Sequence, residues 1–260
     1  MFFQVAFSKP QYAINTELFI LNLDEQAIKY RAMEGWFKTP QGERVAHAFA
    51  SELKEPSELF SGKRLLQLGT CGDSPWLSQL HFRHKWFATP YETSQKATLV
   101  TSLLALPIAR SSIDCVIAPL TLEAFGRDKN PLDEIDRVLK PMGYVVFLGV
   151  NPCSFWGASL RWGGVDCFGE SRGELCSSLS LKQAMLSRGY SQCMLSSFYY
   201  IPPVANKKLI NHLEFFNEMG KMIWPFPAGF YCLIVQKYQP ISPTLLFNQY
   251  NDDLLYVARN

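Results

Sequence analysis

Between Ile113 and Val150 the chain reads as a buried strand, an amphipathic helix and a second buried strand, and few folds accept that order. Asp114 to Leu122, DCVIAPLTL, is an apolar run that passes into a loop. Asn130 then caps a helix whose first turn holds Pro131, a residue preset for that position. Leu132, Ile135, Val138 and Leu139 give the helix one apolar face, while Asp133 and Glu134 lie near its N-terminus, where the helix dipole favours negative charge. Lys140 precedes Pro141 and is biased away from helical geometry, and Gly143 completes a turn into the strand Tyr144 to Val150. Strand, helix and strand in this order form a right-handed parallel crossover, so the sheet is at least partly parallel and open.

A second corner precedes this unit. Arg64 to Leu77, RLLQLGTCGDSPWL, starts as a buried strand through Leu65, Leu66 and Leu68, turns at Gly69 and Gly72, and restarts in a helix-like stretch. Glycines after a strand let the backbone approach a ligand, as in α/β nucleotide sites, although any strand-turn-helix corner can carry them. Two helices come earlier: one from an Asp24 N-cap through DEQAIKYRAMEGWF, and one after Thr39 and Pro40 that repeats Val45, Phe49 and Leu53.

His84 to Thr89 and Ala97 to Thr101 are short strand candidates, joined by a link too short for a crossover helix between parallel neighbours. Ser180 and Gln183 form a capping box for a helix closed by Gly189, and the strand YSQCMLSSFYYIPP follows. Asn206 caps a further helix with Leu209, Leu213, Phe216 and Ile223 on one face, before a last strand, AGFYCLIVQKY, expected to be antiparallel at an edge. Residues 1–23 read as an extension and 239–260 as a tail, leaving 24–238 as one domain.

Composition narrows the class of partner. With 25 Lys and Arg against 23 Asp and Glu, scattered along the chain, a nucleic-acid or membrane-surface partner is not indicated, and a small-molecule substrate is expected. The seven cysteines show no C-x-x-C pair and no zinc spacing, and Cys115 and Cys232 sit in strand-like runs, which points to the reducing cytoplasm and to no metal. His81 and His84 have no acidic or thiol partner beside them, which favours a surface or core reading over a ligand pair. The N-terminal stretch has no basic leader or cleavage site, and no segment approaches the roughly 20 apolar residues of a membrane span.

The run LPIARSSIDCVIAPLTLEAF, followed by NPLDEIDRVLKPMGYVVFLGVNP, resembles the class I S-adenosylmethionine-dependent methyltransferases. WFKTPQGERV, GKRLLQLG and NPCSFWG are similar to a bacterial type-11 subgroup of that superfamily. The resemblance covers about residues 24–238. It implies a Rossmann-like α/β fold: an open, mostly parallel, seven-stranded sheet with helices on both faces and an antiparallel edge strand.

The resemblance also implies S-adenosylmethionine as cofactor, held by Gln67, Gly69, Thr70 and Gly72 of the first loop, by Tyr91 at the end of the second strand, by Ser102 and Leu103, and by Pro119. The chain departs from the family pattern where Gln67 replaces an acid, Cys71 a glycine and Ser102 an aspartate, while the nearest acid to the ribose position is Glu92, out of register. Trp36, Glu123, Asn151 and Trp156, with Arg161, are candidates for the acceptor side. Core packing for the tryptophans, a turn for Asn151 and a cap or ion pair for Glu123 are the structural alternatives.

Methyl transfer needs alignment more than a fixed catalytic set, so no catalytic residue follows from sequence. The expected activity is methyl transfer to a small molecule; the alternative is an inactive methyltransferase fold that serves as a binding or scaffold module. A nicotinamide dehydrogenase is disfavoured, because the chain offers G-x-x-G and not G-x-G-x-x-G.

Overall fold

The sheet is built from β1 (Arg64–Leu68), β2 (His84–Thr89), β3 (Leu99–Val100), β4 (Ile113–Pro119), β5 (Leu139–Val150), β6 (Tyr190–Phe198) and β7 (Phe230–Lys237). These seven strands lie in the order β3-β2-β1-β4-β5-β7-β6. The computed structural model describes residues 25–60, 62–92, 97–125, 130–165, 167–168, 174–204, 207–213, 215 and 227–238. The extension 1–23, the caps Asp24 and Asn206, and the tail 239–260 lie outside the described residues.

The mostly parallel sheet matches expectation, but two strand placements do not. β2 and β3 pair in parallel although the link between them is short, over only two residue pairs, Ala88 with Leu99 and Thr89 with Val100. The antiparallel strand is β7, and it is not at the edge: it pairs with β5 on one side and with β6, the true edge, on the other. Its buried run Phe230 to Val235 reflects cover from both faces.

β5 begins earlier than the sequence implies. Lys140, Pro141 and Gly143 do not form a turn; they form a bulge within the strand, where the pairing to β4 shifts from Ile113 with Leu139 to Cys115 with Tyr144. A Cβ on Gly143 would lie 2.9 Å from the Lys140 carbonyl oxygen and 3.0 Å from that of Asp114, so glycine permits the tight backbone approach. Asp114 pins the region, accepting from the backbone of Lys63 and Arg64 and pairing with Lys140 at 2.6 Å. Burial draws its carboxyl upward, and these bonds outweigh burial and hold it below its ordinary value.

Helix α1 (25–37) and helix α2 (Pro40–Glu52) cover one face. α2 starts at Pro40, earlier than its apolar repeat indicates, because the Thr39 hydroxyl accepts from Gly42 N and Pro40 fills the first turn. Phe49 packs from α2 onto Phe230 at 5.5 Å and onto Trp76 at 6.0 Å. After the glycine corner only a 3₁₀ turn, Pro75–Ser78, follows in place of the expected helix.

α3 (Thr121–Phe125) and α4 (Leu132–Val138) connect β4 to β5, and the Asn130 side chain accepts from Leu132 N as its spacing predicts. α5 (Phe155–Trp162), a helix absent from the sequence expectations, is capped by Ser154 and ends at Gly163 with φ 77°. α6 (Ser178–Leu186) is capped by Ser177 rather than Ser180, whose N–H donates to the Ser177 hydroxyl. α7 (Lys207–Leu213) precedes the last strand.

Candidate functional site

The strand order reverses between β1 and β4, and ligands of open α/β sheets enter beside the carboxyl ends of such strands. On the β1 side lies the loop from Gly69 (φ 84°) to Gly72 (φ 53°). Gln67 organises that loop from within the core. It is fully buried, and its amide donates to Gly69 O and Ser74 Oγ while its carbonyl accepts from Trp76 Nε1 at 3.0 Å. A carboxylate here could not donate, so the neutral amide sets the loop shape and is not presented to a ligand.

Helix α1 closes over the loop. The Tyr30 ring lies so near Gly69 that a Cβ there would come within 2.4 Å of Cε1, and Phe37 meets Gly72. The absence of a side chain at Gly69 therefore serves the approach of Tyr30. One turn on, the Glu34 carboxylate accepts from Thr70 Oγ1 at 3.0 Å and from the Tyr91 hydroxyl in a short contact, and pairs with Lys38 at 2.8 Å. Burial draws the Glu34 carboxyl upward, and the bonds from Lys38, Tyr91 and Thr70 outweigh it and hold the carboxyl below its ordinary value. Arg31 stands 5.3 Å over the Tyr91 ring.

Ser102 and Leu103 are buried, with the Ser102 hydroxyl accepting from Leu104 N at 3.3 Å. Pro119 ends β4 ahead of Leu120, whose φ is 50°. Glu92 is exposed beside the buried Tyr91. The structure thus gathers Gly69, Thr70 and Tyr91 under α1, and keeps Gln67 behind them.

Gln26 and Tyr30, four residues apart on α1, carry unsatisfied polar groups. The Gln26 amide has no hydrogen-bond partner at either atom, and the Tyr30 hydroxyl lies near Thr121 without a bond of good geometry. Both residues are more than nine-tenths buried. Buried groups left this way mark a place where a polar ligand or water completes the structure. Sequence reading recognised the helix but missed Gln26, Tyr30 and Glu34 as site residues; their spacing of four, which stacks them on one face, is the signal that could have found them.

The acceptor-side candidates do not converge on one opening. Trp156 is core: its indole N–H donates to Ile201 O at 2.8 Å and its ring packs on Phe230 at 4.9 Å. Trp36 meets it at 5.9 Å, with its own indole N–H unpartnered. Asn151 shapes the turn after β5, accepting from Cys153 N through its side chain. Glu123 is buried beneath Gly149, where a Cβ would lie 2.3 Å from the Tyr231 hydroxyl and 2.7 Å from Glu123 Oε1. Its carboxylate accepts from Val150 N at 2.9 Å, and burial pushes its pKa up to about 7 against that bond.

Two clefts flank the crevice. One, of about 340 Å³, lies between α1, α2 and the glycine loop and is lined by Glu34, Lys38, Glu43, His47 and Asp73. The other, of about 530 Å³, lies beyond the ends of β4 and β5, between Leu122, Pro152, Arg161 and the loop and helix from Glu174 to Ala184. His81 and His84 are exposed, and among the described residues no group of three or more His, Cys, Asp or Glu side chains is placed to hold a metal ion. Among those residues no helix is long and apolar enough to cross a membrane.

This sheet, with the glycine loop at its reversal, is similar in fold to solved S-adenosylmethionine-dependent methyltransferases. Residues 82–147 match the family model described as a methyltransferase domain. A SAM-dependent methyltransferase from Thermotoga maritima aligns at 15% identity over 82% of this chain and 99% of that one, with a TM-score of 0.56. One from Archaeoglobus fulgidus aligns at 15% identity over 73% and 93%, with a TM-score of 0.50. The [4+2]-cyclase SpnF aligns at 16% identity over 74% and 80%, also at 0.50. At these identities the likeness is one of fold. No curated protein sequence matches the chain.

Proposed function

We propose that this protein transfers a methyl group from S-adenosylmethionine to a small-molecule acceptor in the cytoplasm. The observation that carries the reading is the glycine loop at the reversal of the strand order, in a chain with a methyltransferase-domain match over residues 82–147. The cofactor supplies an electrophilic methyl group on a sulfonium. The chain's own part is to hold it, exclude water and align the acceptor.

The residues suit a nucleoside cofactor through hydroxyls and amides in place of acids. Thr70, Tyr91 and Ser102 offer hydroxyls, and the unpartnered Gln26 amide and Tyr30 hydroxyl on α1 supply unmet hydrogen-bonding capacity. The Tyr30 ring holds the space over Gly69 and is the group that gives way when the cofactor is admitted. Seven free cysteines agree with a reducing compartment.

A second reading is favoured by that same contact: a fold that has lost the cofactor and acts as a binding or scaffold module, with Tyr30 and the Tyr91–Glu34 bond as permanent fill. A crystal of the full chain grown with adenosylhomocysteine separates the two. Ordered nucleoside beside Gly69, with Tyr30 displaced, supports methyl transfer; an unchanged Tyr30 over an empty crevice at saturating ligand supports the module.

A further inference from the structure

We infer that the acceptor held in the cleft beyond β4 and β5 is an amphipathic small molecule with a single anionic head, bound by Arg161. The assignment deepens the methyl-transfer reading and rests on it for the word acceptor. Its volume of about 530 Å³ falls in the range of about 300–1,000 Å³ usual for small-molecule sites. Leu122 follows the end of β4 and Pro152 the end of β5, so the cleft opens on the edge of the sheet where the glycine loop lies.

The cleft has a fixed wall and an apolar body. Glu174 N donates to Glu123 O at 3.2 Å and the Tyr231 hydroxyl donates to Cys176 O at 3.1 Å, which stitches the loop before α6 to the carboxyl edge of the sheet. Leu122, Leu132, Leu175 and Leu181 supply apolar surface that a hydrocarbon or aryl body covers.

Its charged lining residues are Arg161 and Glu174. Asn130 and Ser177 also line the cleft, but their side chains cap α4 and α6. Arg161, on the last turn of α5, lines the cleft with no side-chain hydrogen bond or ion pair among the described residues, whereas Lys140, Arg137, Arg188 and Lys237 each pair with a carboxylate. Ser177 and Ser180 at the N-terminus of α6, the positive end of its dipole, also line the cleft. Glu174 is the acid on this wall and is not free, and its charge disfavours a ligand carrying more than one negative charge.

Titration of the full chain with octanoate, octylamine and octanol, which share one body and differ in the head, tests the assignment. Octanoate is expected to bind best, with octylamine about tenfold weaker or more. Arg161→Gln, at an exposed position, is expected to weaken octanoate by about tenfold, leave octanol unchanged, and leave the affinity for S-adenosylmethionine and the thermal midpoint as in the wild type. Leu181→Gln is expected to weaken all three probes.

Absence of octanoate binding, equal binding of octylamine, or indifference to Arg161→Gln overturns the proposal. If octanoate behaves as expected while S-adenosylmethionine does not bind, the cleft stands as an anion site and the methyl-transfer reading fails. The reverse pattern sinks the cleft alone.

Discussion

At Gln67 one neutral side chain stands where the methyltransferases that the chain resembles carry an acid, and its hydrogen bonds explain the exchange. Two of its bonds require an N–H donor, so Gln67→Glu sets a carboxylate against Gly69 O and Ser74 Oγ inside the core. The expected cost is about 2 kcal/mol or more, seen as a lower urea midpoint with an unchanged slope. Sequence showed the departure but not its consequence, because Gln67 pairs with Trp76 and Ser74 only once the 3₁₀ turn folds back over the loop.

Glu123 gives the second prediction at this scale. Its folded pKa lies above the ordinary carboxyl value of 4.5, at about 7, so the folded state holds the proton in that interval and the unfolded state does not. Stability from this group is present below about 4.5 and lost as pH rises towards about 7. Glu34, Asp114 and Glu134, held below their ordinary values, act in the opposite sense at lower pH, where they lose stability as pH falls. Urea midpoints at pH 5 and pH 8 are expected to differ less in Glu123→Gln than in the wild type, and the variant is expected to be the more stable of the two at pH 8.

Among the elements, α4 ties the crossover to the approach of β4. Arg137 pairs with Glu134 at 2.9 Å and donates to Ile108 O at 2.8 Å and Leu106 O at 2.7 Å, while Glu134 accepts from Leu106 N. Arg137→Met is expected to cost about 2 kcal/mol, and Arg137→Lys to lose part of that, because one ammonium cannot span a carboxylate and two carbonyls. Both are read from thermal unfolding followed by circular dichroism.

The crossover itself was legible in sequence, since the helix face from Leu132 to Val138 and the two apolar strands are local patterns. Less visible were the start of β5, where Pro141 and Gly143 suit a turn as well as a bulge, and the inner place of β7. Strand order is set by packing between distant segments, and no period within Phe230 to Lys237 records its neighbours.

For the molecule as a whole, seven strands, a glycine loop at the reversal of their order and a helix closed over that loop form one arrangement. The acceptor-side residues were the least legible. Trp156 and Glu123 carry side chains typical of sites, yet burial commits one to the core and sets the other beneath Gly149. Arg161 lines the larger of the two clefts because it stands on α5, a helix absent from the sequence expectations. The account rests on the crevice admitting the cofactor past Tyr30. Isothermal titration of the folded full chain with S-adenosylmethionine measures this directly: saturable binding near one equivalent is predicted, and no detectable heat or competition with adenosylhomocysteine at millimolar ligand would contradict it.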